Sequence, residues 1–285
     1  MTVRERQFDI EGLCIHAREW GSDGVPVLAL HGWLDNAASF DALGERLGVC
    51  HMLALDLPGH GLSDNKPPHA TYHIWDDLLV ILAVADSLGW DRFVLLGHSR
   101  GAIMSVLLSA ACPERISALI CLDGLVPGPV PIEETAQQLA KFLKDYRATG
   151  ERKARAFQSI DEIVAARLRA MPMSEAGARK IAERAAIKTP EGYIWNNDPR
   201  LKAASAFKLS EAHLRSVLLS LQLPVMLILA EEGFARYAQL LDLLPCVQGA
   251  RVERLPGSHH FHMEEAAGDI AALIKDFLAA NKERE

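Results

Sequence analysis

The stretch Phe93-Val94-Leu95-Leu96-Gly97-His98-Ser99-Arg100-Gly101-Ala102 constrains the fold more than any other. An apolar run stops at Gly-x-Ser-x-Gly, and a small-residue helical segment follows. This is the pattern of a strand that turns so sharply into a helix that a serine stands alone at the apex. Both flanking positions need glycine, because a side chain there would collide with neighbouring backbone. The helix then aims its N-terminal N–H groups at the place where negative charge would develop on a reacting group.

The pattern of strands supports this reading. Residues 3–9 and 13–20 read as two strands joined at Glu11-Gly12. Apolar strands follow at Pro26–Leu30, His51–Leu57, Arg92–Leu96 and Ile116–Leu122, separated by helical stretches such as Tyr72–Leu88 and Ala102–Cys112. Asp35 or Asn36 caps a further helix running to about Leu47. Alternation of this kind predicts an α/β fold with a mostly parallel, eight-stranded sheet flanked by helices. From roughly Gly128 to Leu214 the pattern changes to helical segments without a strand run, at Ile132–Ala148, Ile160–Ala170, Ser174–Ile187 and Ala203–Leu214, with a turn at Gly192–Trp195. Strands resume at Pro224–Ala230 and Arg251–Leu255. A final helix carries Ile270, Leu273, Ile274, Phe277 and Leu278 on one apolar stripe. The expectation is a core of residues 1–127 and 216–285 with a helical cap insertion at 128–215.

Charge narrows the possible partners. The formal net charge is −7, which argues against a general nucleic-acid binder. Residues 131–215 hold 16 basic and 11 acidic residues, a net of +5, against −12 for the remainder. The plain reading is a set of solvated amphipathic helices; the sharper one is a basic insertion that steers anionic substrates. No apolar run reaches the ~20 residues needed to span a bilayer. The start of the chain has no signal-like apolar core, and five dispersed cysteines read as reduced thiols. The expected location is cytoplasmic, and the expected state a monomer or homodimer.

A serine hydroxyl is too weakly acidic to attack unaided, so it needs a histidine base and an acid that orients it. His259, His260 and His262 compete for the role of base in the loop between the last strand and last helix; His259, first after the Gly257 turn, is the preferred candidate. A metal reading of His259-x-x-His262 lacks a third ligand nearby. Two N–H donors must meet the developing oxyanion. Arg100, directly after the serine, supplies one. Trp33, after His31-Gly32, supplies the other by position.

These motifs make the chain resemble an α/β-hydrolase from its first strand to its last helix. The match rests on His31-Gly32-Trp33, Asp56-Leu57-Pro58-Gly59-His60-Gly61-Leu62-Ser63, Gly97-His98-Ser99-Arg100-Gly101, and His259 with Glu264. The runs His31–Phe40, Leu122-Asp123-Gly124-Leu125 and Asn197-Asp198-Pro199-Arg200-Leu201 resemble the serine hydrolase-like branch, which implies a carboxylesterase-like activity. One departure stands out. Most of the superfamily carries its acid after the seventh strand, as Gly-x-x-Asp, and here that position is Gly233, after Glu231 and Glu232. Some members place the acid at the end of the sixth strand, where this chain has Asp123. Asp123 is therefore the preferred acid, with Glu232 or Glu231 as the alternative.

A serine rather than an aspartate at the apex separates this chain from the dehalogenases and epoxide hydrolases that resemble it, and points to acyl transfer. The expected catalytic residues are Ser99, Asp123 and His259, with Trp33 and Arg100 at the oxyanion hole. The expected substrate is a small or medium carboxylic ester, with no metal, nucleotide or organic cofactor. A C–C bond hydrolase or lactonase, and a non-catalytic ligand-binding relative, are the alternatives. His98 and His31 read as packing residues, and Asp56, Gly59 and Gly61 as shapers of a turn. Trp195, Phe142, Phe157 and Phe207 are either pocket walls or packing for the insertion.

Overall fold

A computed structural model describes residues 2–150, 155–233 and 238–282. Its main sheet takes eight strands in the order β1 (Arg4–Ile10), β2 (Leu13–Trp20), β4 (Cys50–Leu55), β3 (Val25–Leu30), β5 (Phe93–His98), β6 (Ile116–Leu122), β10 (Val225–Ala230) and β11 (Arg251–Leu255). Only β1 and β2 run antiparallel to their neighbours; from β4 to β11 every pairing is parallel.

The central strands read as apolar runs because both faces of the sheet are covered, and their side chains alternate between two cores. Leu28, Leu30, Leu53, Leu55, Leu95, Leu119, Leu227 and Leu229 join one core. That side is closed by α2 (Asp76–Ser87), α3 (Arg100–Ala111), α7 (Glu211–Leu219) and α8 (Ala238–Leu243). Val27, Ala29, Met52, Val94, Leu96, Ile120, Met226 and Ile228 face the other. There the short α1 (Asp41–Gly44) and α9 (Ala267–Lys282) close the layer. The α9 stripe behaves as its spacing demands: Ile270, Ile274, Phe277 and Leu278 are buried, with Leu273 packed beside them.

Parallel pairing brings the C-terminal ends of β3, β5, β6 and β10 to one edge of the sheet, where functional loops gather. A groove of about 820 Å³ opens at the opposite edge, among Gly24, Pro26, Arg92, Pro113 and Pro224. It holds none of the candidate residues.

The segment after β6 departs from the sequence reading. It contains α4 (Thr135–Gly150), α5 (Ile160–Ala170) and α6 (Glu175–Ala185), but also a small antiparallel sheet of β7 (Ala156–Phe157), β9 (Gly192–Trp195) and β8 (Ala186–Thr189). The expectation of helices alone, with a turn at Gly192–Trp195, is corrected. Ile187, Thr189, Tyr193, Ile194 and Trp195 are strand formers. The two-residue link Pro190-Glu191 lets β8 pair with β9 from Ala186↔Trp195 to Thr189↔Gly192. The helix expected to reach Ile187 ends at Ala185 for the same reason. The helix expected over Ala203–Leu214 instead begins at Glu211, after a 3-10 turn at Pro199–Lys202. Leu214 and Leu218 of α7 pack into the main core.

Candidate active site

Ser99 sits between β5 and α3 at φ 52°, ψ −115°, a conformation costly for a residue with a side chain. The surrounding glycines explain how the turn closes. A Cβ on Gly101 would lie 1.9 Å from the Leu30 carbonyl oxygen, and one on Gly97 would lie 2.5 Å from the backbone of Ala102. Gly124 serves from the neighbouring strand end, where a Cβ would come within 2.9 Å of Ser99 Cα. The Ser99 N–H donates to the Leu122 carbonyl at 3.1 Å, which ties the apex to the end of β6. The serine is half-buried. Arg100 is the first residue of α3, so the helix provides no i−4 acceptor for its N–H.

Asp123 follows β6 directly and is fully buried. Its Oδ2 lies 2.6 Å from His259 Nδ1. Its Oδ1 accepts the Ala230 N–H at 3.1 Å, a contact that fixes the carboxylate from the end of β10. Gly233 completes this arrangement. A Cβ there would fall 2.0 Å from Asp123 Oδ2, so the carboxylate occupies the room a side chain at 233 would need. Glu231 and Glu232 are exposed, and their N–H groups donate to the carbonyls of Leu255 and Gly257.

His259 is partly exposed, whereas His260 and His262 are buried. His98 lies behind them, fully buried, and its Nε2–H donates to the His259 carbonyl at 2.8 Å. Burial holds the His98 ring neutral, pushing its pKa down to about 4. Burial also drives His262 well below the usual histidine range, with the nearby His98 and His260 adding to the effect. Asp35 is enclosed with them. Burial alone would raise its pKa, but His260 and Arg167 hold it well below the carboxylate range.

Trp33 stands on the loop after β3. Its indole is 42% exposed and donates its Nε1–H to the Leu201 carbonyl at 2.9 Å, reaching across to the inserted segment. His31 is a loop brace: it accepts the Leu57 N–H at Nε2 and donates from Nδ1 to the Gly32 carbonyl. The Arg100 guanidinium is held by Asp77 at 2.8 Å, and Lys66 reaches the other oxygen of the same carboxylate at 3.0 Å. Asn36, not Asp35, is the side-chain cap of the turn at Ala37–Phe40.

Among the aromatic residues of the insertion, Phe157 and Trp195 pack within its own small core, beside Ile163 and Val164. Phe142 and Phe207 instead meet His73 and Trp75, just before α2. Two arginines that sequence reasoning left among the solvated charges are buried. Arg167 of α5 bonds Asp35, and Arg184 of α6 holds both oxygens of the fully buried Asp56 at 3.0 Å. Asp56 also accepts the N–H groups of Ala37 and Leu62. The spacing of Arg167 and Arg184 carries no signal of this role. Of their partners, the sequence offered Asp35 as a possible helix cap and Asp56 as the shaper of a turn.

Among the described residues, no helix is long and apolar enough to cross a membrane. A family model described as alpha/beta hydrolase fold matches residues 25–267. A solved structure of a hypothetical protein from Pseudomonas aeruginosa PAO1 superposes with a TM-score of 0.93 at 38% identity, covering 96% of this chain and 99% of that one. A serine hydrolase-like protein of Dictyostelium discoideum is 30% identical, over 95% of this chain and 80% of its own length. Serine hydrolase-like protein 2 of Homo sapiens is 30% identical, over 93% and 90%. With the parallel sheet and the strained serine at its C-terminal edge, these likenesses show that the chain is a hydrolase of the alpha/beta hydrolase family, alongside its serine hydrolase-like members.

Proposed function

We propose that the protein is a carboxylesterase-like serine hydrolase that cleaves small or medium carboxylic esters through an acyl-Ser99 intermediate. The observation that carries this reading is the 2.6 Å contact between Asp123 Oδ2 and His259 Nδ1, at the sheet edge where Ser99 holds its strained backbone. With Nδ1–H given to Asp123, His259 presents an unprotonated Nε2 as base. Nε2 takes the Ser99 proton as Oγ attacks the ester carbonyl. The tetrahedral oxyanion is met by the N–H groups of Arg100 and Trp33. The imidazolium returns its proton to the leaving alcohol, which leaves the acyl-serine. Water then repeats the sequence: His259 removes its proton, the acyl–oxygen bond breaks, and acid and free serine are restored. This chemistry requires no metal or organic cofactor.

The Asp123 carboxylate, standing where a side chain at position 233 would be, supports the catalytic reading over that of a non-catalytic ligand-binding relative. The inserted segment, residues 128–215, serves in this reading as the cap that covers the acyl pocket.

The test is labelling by a fluorophosphonate together with a series of p-nitrophenyl esters of graded chain length. The wild-type protein should label at Ser99 and hydrolyse the short and medium esters. A folded Ser99→Ala variant should lose labelling and turnover, keeping at most the ~10³-fold advantage over water that oxyanion donors alone confer. Wild-type turnover in that variant overturns the acyl-enzyme proposal. Turnover of a lactone or a vinylogous diketone with none of the esters would move the substrate class.

A further inference from the structure

Beside the His259 ring, Asp35, His98 and His260 bring a carboxylate oxygen and two imidazole nitrogens together within 4.8 Å of one another, all fully buried. Hydrogen bonding leaves this arrangement incomplete. His98 Nε2 faces the His259 carbonyl, which can only accept, so that nitrogen carries the proton. With the proton on Nε2, Nδ1 is the lone-pair nitrogen of that tautomer. It points at Asp35 Oδ2, another acceptor, 3.6 Å away, and it has no hydrogen-bond partner. Asp35 Oδ2 accepts the His260 Nε2–H at 3.2 Å, so an ion that joins the three groups displaces that proton and takes its place between Oδ2 and the two rings.

We propose that Asp35 Oδ2, His98 Nδ1 and His260 Nε2 form a buried binding site for a d-block dication, with Zn²⁺ as the type ion.

The spacing fits. Zinc binds imidazole nitrogen and carboxylate oxygen at about 2.0–2.2 Å, so neighbouring donors on a tetrahedron stand roughly 3.4 Å apart. Asp35 Oδ2 lies 3.2 Å from His260 Nε2 and 3.6 Å from His98 Nδ1. The outer contacts fit as well. A metal-bound histidine characteristically gives its other N–H to a carbonyl or carboxylate, and His98 gives its own to His259. Arg167 takes Asp35 Oδ1 and leaves Oδ2 to the ion. Room is made by Gly32, where a Cβ would stand 2.7 Å from Asp35 Oδ2 and 2.9 Å from His98 Nδ1. His262 stands alongside as a further imidazole, with neither ring nitrogen partnered and its ring centroid 4.1 Å from that of His98. Two histidines and a carboxylate favour zinc, cobalt, nickel or copper over calcium or magnesium. The site is separate from the ester chemistry and does not rest on it.

The experiment uses the full-length protein, stripped with a chelator and then equilibrated with Co²⁺. One equivalent should bind, with the intense visible bands of a low-coordinate site, and Zn²⁺ should displace it. His98→Gln and His260→Gln should each remove the bound cobalt, while Ser99→Ala and His259→Gln keep it. Circular dichroism reports whether each variant folds. Absence of stoichiometric Co²⁺ binding in the wild type overturns the proposal. So does binding that is lost in His259→Gln but kept in His98→Gln, which would put the ion at the candidate active site instead. If the two ligand variants fail to fold, X-ray absorption at the zinc edge of the loaded wild type decides. A shell with two imidazoles and an oxygen near ~2.0 Å supports the site, and a shell without imidazole overturns it.

Discussion

Replacing Gly233 by alanine should injure the enzyme through a residue that never meets substrate. The added Cβ would stand 2.0 Å from Asp123 Oδ2. An ordinary carbon–oxygen contact is about 3.3 Å, so the carboxylate must retreat by more than ~1 Å. It can retreat only by stretching its bonds to the Ala230 N–H and to His259. Misplacement of a catalytic group by ~1 Å costs about 10²-fold, and complete loss of the orienting acid about 10⁴-fold. The expected fall in kcat lies between these bounds, or about 2.7–5.5 kcal/mol of transition-state stabilisation. The decisive companion is the double variant Asp123→Gly/Gly233→Asp. Position 123 already has φ 42°, which glycine adopts freely, and the carboxylate returns from the end of β10 instead of β6. It should exceed the single Asp123→Gly variant by at least ~10²-fold, the signature of two positions sharing one role. The assay is kcat on a p-nitrophenyl ester, normalised by fluorophosphonate titration of active sites, with circular dichroism to verify folding. Wild-type kcat in Gly233→Ala, or a double variant as slow as Asp123→Gly, refutes the reasoning.

The three late histidines should separate in kinetics: His259→Gln should lose most of kcat, while His260→Gln and His262→Gln should chiefly lower thermal stability, and a larger kcat loss in either would reassign the base. Asp123→Asn should cost roughly 10⁴ in kcat without unfolding the protein, and Glu232→Gln should leave kcat near wild type. Arg184→Ala should destabilise by about 3 kcal/mol in urea melts, because it leaves the Asp56 charge buried without its guanidinium; an unchanged midpoint would show that the loop amides suffice. His31 and His60 are held neutral by burial, so the unfolded chain takes up protons that the folded one refuses; Tm should therefore fall as pH drops below about 6.5, and a flat Tm down to about pH 5 would contradict the assignment.

The sheet was legible because each central strand is an apolar run with an abrupt end, and Leu122-Asp123-Gly124 or Leu96-Gly97-His98 marks where packing yields to polar loops. Ile116–Leu122 and Arg251–Leu255 fall where periodicity put them. The small sheet of the insertion was not legible. Its strands span two to four residues, and Ala186–Thr189 continues without a break from a helix whose formers merge into it. Asp123 was legible through the resemblance, which offers the end of the sixth strand as an acid position, and the structure sets that end beside the end of β5. The neighbouring cluster of Asp35, His98, His260 and Arg167 was not. Its members come from four distant segments, and an arginine on an amphipathic helix has the same local pattern whether it meets water or a buried carboxylate.

Arg167 and Arg184 rest on aspartates from two different loops of the core, one after β3 and one after β4. The inserted segment is thus keyed to its scaffold at two charged sockets. Recombination within the family meets a rule of inheritance here. A chimera that exchanges residues 128–215 alone strands one buried charge at each socket. A chimera that also carries the loops bearing Asp35 and Asp56 keeps both pairs, so these three stretches should pass between lineages as one module.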